Sequence, residues 1–237
     1  NQMSGVAIIN QLFFVFNLLV FGGMSGAGLF SAQYFGQKNH NGVRDVFRMK
    51  ILIGITIIAI SISVMIFLHE PLINMFLHEG SSSGNIQETF NYAKNYLYIM
   101  VIGIAPFVIS NCYNTTLKES GQTVVPMKAG VLAVVFDVVL NYIFIFGKLG
   151  FPAMGVVGAA IATVISRFVE CGYLVIYTHI HSNDYPFIKH CYRTLKVPGS
   201  LVKKIIVTGA PLMLNEFLWA GGLTLQTQAL STKGLAT

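Results

Sequence analysis

Ile51-Leu52-Ile53-Gly54-Ile55-Thr56-Ile57-Ile58-Ala59-Ile60-Ser61-Ile62-Ser63-Val64-Met65-Ile66-Phe67 decides the fold. The run carries no charge and is apolar on every face of a helix, whereas a membrane-crossing strand alternates apolar and polar residues over about ten positions. In hydrocarbon the backbone has no water to bond to, so a segment that is not part of a closed barrel must be a helix. With its flanks, the span covers 49–68, close to the ~20 residues needed to cross the bilayer core.

On either side of it, five more apolar stretches of similar length cover 5–31, 92–117, 127–146, 154–178 and 205–227. Six crossings are therefore expected, in an all-α membrane protein built as a polytopic helical bundle. Composition agrees: the 237 residues are 54% hydrophobic and only 10% charged, against about 25% charged in a soluble domain. Mean hydropathy is +0.66. The formal net charge of +6 resides mostly in the connections, where basic residues set orientation and meet lipid head groups. A nucleic-acid partner is not expected. Cys112, Cys171 and Cys191 form an odd set without paired spacing, so neither a disulfide framework nor a zinc site is indicated.

The loop after the first stretch carries Lys38, Arg44, Arg48 and Lys50 against Asp45, and the loop after the fifth carries Lys189, Arg193, Lys196, Lys203 and Lys204 against Asp184. Both should face the cytoplasm. Glu70, Glu79 and Glu88 against Lys94 suit the outside, as does the short connection with Lys148, and Lys118, Glu119 and Lys128 make the third loop weakly basic. All five loops alternate as six crossings require. Gly22 with Gly26, and Gly155, Gly158, Ala159 and Ala162, form small-residue stripes suited to close helix contact. Pro106 and Pro211 fall inside spans and should kink them.

An ionised acid at mid-bilayer costs about 2.5–3.5 kcal/mol on insertion scales, so acids in spans face a cavity or a partner. Asp137 lies near the middle of the fourth stretch, with Asn141 one turn away on the same face. Such a pair can hold a small cation, or a proton that leaves when a cation arrives; equally, it can be hydrogen-bonded only to fix helix packing. Glu216 in the sixth stretch is a second candidate, whereas Glu170 is expected to pair with Arg167 three residues earlier. Asn10, Gln11, Asn17, Asn111, Asn114 and Asn215 could line a polar path, or serve as interhelical glue. His69-Glu70 and His78-Glu79 are read as solvated turns rather than a metal site. No nucleophile with a base, phosphate loop or dinucleotide fingerprint is present, so neither an enzyme nor a cofactor is expected.

Asn114-Thr115-Thr116-Leu117-Lys118-Glu119-Ser120-Gly121-Gln122-Thr123-Val124-Val125-Pro126-Met127, then 141–147, then Gly155-Val156-Val157-Gly158-Ala159-Ala160-Ile161-Ala162-Thr163, resembles the multidrug and toxic compound extrusion (MATE) family. Ser31-Ala32-Gln33-Tyr34-Phe35-Gly36 and 211–219 are similar to it too. The resemblance implies twelve helices in two lobes, exporting mostly cationic organic compounds from the cell across the plasma membrane against inward Na⁺ or H⁺ flow. This chain would hold helices two to seven: 1–180 most of the N-terminal lobe, 181–204 a cytoplasmic inter-lobe linker, and 205–237 the first helix of the second lobe. Many relatives carry Asn and then Asp where this sequence has Asp137 and then Asn141, so the carboxylate moves by one turn. Glu216 is similar to an acid in the seventh helix of some relatives. The alternative within the same superfamily, a lipid-linked saccharide flippase, would gather basic residues in its cavity, and few lie inside these spans.

Overall fold

The computed structural model describes the backbone of residues 2–80 and 86–234, and within them the side chains of 5–74, 87–212 and a few positions beyond. Every element among the described residues is helical: α1 (Gln2–Gly36), α2 (His40–Phe67), α3 (His69–Gly80), α4 (Ile86–Ile102), α5 (Ile104–Glu119), α6 (Val124–Phe146), α7 (Val156–Ile180) and α8 (Gly199–Gly234). Four stretches, Gly5–Gly36, His40–Phe67, Val124–Phe146 and Val156–Ile180, are each long and apolar enough to cross a membrane. The third expected crossing is a broken one, α4 and α5 meeting at 44°. The expected sixth crossing falls within α8, whose later side chains lie largely outside the described residues.

Pro106 explains the break. It has no N–H to return to the Ile102 carbonyl, and its ring crowds that carbonyl. The chain responds at Gly103, which closes a tight turn onto the Met100 carbonyl (3.0 Å) before α5 begins. The stretch 69–80, read from sequence as a polar loop, is instead helix α3; Pro71 sits in its first turn, where no intrahelical N–H is needed, and Ile73 enters the core. The His69 ring nitrogen lies 2.7 Å from the Ile66 carbonyl, so His69 caps the bend between α2 and α3 rather than facing solvent alone.

Glycine sets the closest helix approaches. A β-carbon on Gly26 would fall 2.4 Å from the Cα of Gly209, so α1 and α8 cross backbone to backbone. A β-carbon on Gly158 would lie 2.8 Å from the Phe144 backbone, and this close contact seats α7 on α6. The core runs from Phe13, Phe16 and Met24 of α1 through Phe47 of α2 and Leu97 of α4 to Tyr113 of α5 and Leu174 of α7.

The end of the bundle expected to face the cytoplasm is tied together. Residues 181–198 fold back under the helices, burying Tyr185, Phe187, Ile188 and Cys191. Arg48 holds them, donating to the carbonyls of Cys191 and His190 (both 2.9 Å) while pairing with Asp45 (3.0 Å). The hydroxyls of Tyr113 and Tyr192 meet in a short hydrogen bond. Burial pushes the Cys191 thiol up to about 11 and the Tyr192 phenol up to about 12. Lys50, read from sequence as a loop charge, is instead fully buried and bonded to Glu119 at 2.5 Å.

Candidate functional site

Helix α6 presents Val131, Val134, Val135 and Val138, all more than half exposed, as one apolar stripe. Asp137 lies on the flank of that stripe, half-buried and directed to α7. Asn141 donates to its Oδ2 at 3.0 Å, and Ser166 of α7 reaches its Oδ1 at 3.4 Å. The single Ser166 proton has a better acceptor in the Thr163 carbonyl, at 2.8 Å. Asp137 Oδ1 is therefore weakly served, with the Ser166 hydroxyl oxygen beside it. A carboxylate with a hydroxyl oxygen beside it between two helices can contribute ligands to a small cation; the carboxylate can equally take a proton.

The sequence identified Asp137 and Asn141 but not Ser166. A serine inside an apolar helix has no distinctive spacing, and it joins the site only because Gly158 and Ala162 let α7 lie close against α6.

The other candidates divide. Asn17 and Asn114 each hold a buried carboxamide oxygen without a hydrogen-bond partner, the condition of a group left for a ligand. Asn111 is buried but spends its amide on the Phe107 carbonyl one turn back (2.9 Å), which makes it local structure. Asn10 and Asn215 are exposed, and Gln11 is half-buried. The Glu216 side chain lies outside the described residues, as do those of His78 and Glu79. The expected Arg167–Glu170 ion pair is not made: the two salt bridges among the described residues are Arg48–Asp45 and Lys50–Glu119. Arg167 instead lies over the rings of Phe107 (4.9 Å) and Phe13 (5.6 Å), aromatic faces that can satisfy a guanidinium inside a bundle. Among the described residues no three His, Cys, Asp or Glu side chains gather as a metal site would require.

Fold and site together define a polytopic α-helical membrane protein with a polar centre held between two helices. The MatE family model matches residues 1–143. The probable multidrug resistance protein NorM of Thermotoga maritima is 30% identical over 232 residues, covering 98% of this chain and 48% of that protein. The probable multidrug resistance protein YoeA of Bacillus subtilis is 27% identical over 227 residues, covering 91% of this chain and 46% of its own. A crystal structure of MATE in the bent conformation superimposes with a TM-score of 0.73 at 25% identity, covering 91% of this chain and 45% of that one. A crystal structure of MATE in complex with MaD3S gives 0.76 at 22% identity, covering 98% and 49%. The chain belongs to the MatE, or multidrug and toxic compound extrusion, family. It spans about half the length of the curated relatives it matches.

Proposed function

We propose that this chain forms most of one lobe of a secondary active exporter in the plasma membrane. The exporter expels organic, mostly cationic compounds in exchange for Na⁺ or H⁺, with Asp137 as the coupling carboxylate. Residues 1–180 belong to the N-terminal lobe, 181–204 connect the lobes, and α8 opens the second. The connection is held beneath the first lobe by Arg48, so that lobe and connection move together.

One observation carries the reading. Asp137 is a mid-helix carboxylate inside the membrane that has an amide and a hydroxyl for company but no Lys or Arg within ion-pair distance among the described residues. An anion retained there against its insertion cost needs a cation that comes and goes. Binding of that cation favours one arrangement of the lobes over the other, and so drives alternating exposure of the substrate cavity. Relatives named as multidrug resistance proteins support organic compounds as the cargo.

The test is Asp137→Asn in the intact protein, reconstituted with an imposed ion gradient. The reading predicts normal membrane insertion with export lowered at least about tenfold, as loss of the coupling charge requires. Undiminished gradient-driven export by this variant would remove Asp137 from the mechanism and leave it as interhelical glue.

A further inference from the structure

Among the described residues Arg167 is a further charged side chain near the depth of Asp137, and it makes no ion pair there. Its neighbour in sequence, Ser166, touches Asp137, which fixes the two groups at one level of the bundle. Its Nη1 is buried without a hydrogen-bond partner. The guanidinium rests on Phe107 of α5 and Phe13 of α1, and it lies against Gly103 at the break between α4 and α5, where an added β-carbon would come within 3.3 Å of Nη1. The charged and titratable groups acting on it are Asp137 of α6, Tyr96 of α4 and Glu170 of α7; α1 and α5 offer it the Phe13 and Phe107 rings. A cation held on ring faces, with a donor unspent and an acid nearby, has two places to be: on the rings, or swung toward the carboxylate.

We infer that Arg167 is the tethered counter-cation of Asp137, resting on Phe107 and Phe13 when the coupling ion is bound and turning to the carboxylate when that ion leaves. The inference builds on the coupling role given to Asp137. It accounts for a cation kept in the lobe interior, and it makes the ion-free site electrically neutral while the lobes reorient. Because the resting guanidinium lies against Gly103, its departure from the rings would loosen a contact at the bent α4–α5 crossing. Arg167 acts through Asp137 and is a positioning residue.

Its signature is a change in ion dependence rather than in yield of folded protein. Removing a competing cation raises the affinity of the site for its ion, whereas a structural lesion would lower affinity or abolish export. In the intact protein in proteoliposomes, half-saturation is measured with Na⁺ at fixed pH and with H⁺ in Na⁺-free buffer. Arg167→Gln is expected to lower the half-saturating ion concentration by about tenfold, the scale of one unit charge acting over several Å in a partly screened interior. Arg167→Lys, which keeps the charge, should stay near the parent value. Phe107→Leu removes the resting place, biases the guanidinium toward Asp137, and should raise the half-saturating concentration. It also carries the test by itself if Arg167→Gln does not reach the membrane. Half-saturation unchanged in Arg167→Gln and Phe107→Leu, with Asp137→Asn inactive, overturns the inference and leaves the role of Asp137 standing. Ion-coupled export by Asp137→Asn overturns that role, and the tethered cation with it.

Discussion

Lys50 reaches full burial because all three of its ammonium donors are spent: on Glu119 at 2.5 Å, Thr115 at 3.0 Å and Thr116 at 3.2 Å. Gly28 of α1 leaves the room, since a β-carbon there would sit 2.4 Å from Glu119 Oε1. The cluster joins three helices, and its worth shows when it is broken. Lys50→Met leaves a carboxylate at 18% exposure with no cation and should cost about 3–5 kcal/mol, whereas the double change Lys50→Met with Glu119→Leu should recover most of that. Unfolding of the detergent-solubilised protein measures both. The sequence placed Lys50 and Glu119 in different basic loops, because their partnership spans 69 positions and no local pattern encodes it. Asp137 and Asn141 were legible for the opposite reason, being one turn apart on one helix.

Among elements, small residues were readable as contact surfaces but not as particular contacts. Gly26 stood out by its four-residue spacing from Gly22, yet its partner Gly209 belongs to a helix more than 180 positions away and had no stripe of its own. Gly26→Ile places side-chain atoms where the α8 backbone passes, and should cost about 1–3 kcal/mol, read as a lowered midpoint of thermal unfolding. Proline was legible because its chemistry is local: Pro106 marked the third crossing as kinked, and the bend sits at Gly103, the residue after the carbonyl it leaves unbonded. Helix α3 was not legible, since two acids, two histidines and a proline within twelve residues dilute its apolar face. Its burial of Ile73 is a tertiary event.

At the scale of the whole molecule, hydrophobic run length alone specified a helical membrane bundle, because the bilayer thickness is a ruler that the sequence must match. Charge placement specified which connections share an end: Arg48, counted from sequence with the first basic loop and found near the start of α2, binds the backbone of the second basic connection at His190 and Cys191. The proposed link between the bundle and transport is Asp137, set between α6 and α7 with the Asn141 amide and the Ser166 hydroxyl beside it. If ion and cargo exchange through that carboxylate, their coupling is reciprocal, and a gradient of one must drive the other. The direct measurement is therefore ion counter-flux in proteoliposomes of the intact protein, started by a gradient of a cationic organic substrate with no ion gradient imposed. The account predicts Na⁺ or H⁺ movement opposite to the substrate in the parent protein and none in Asp137→Asn; counter-flux of equal size in the two would contradict it.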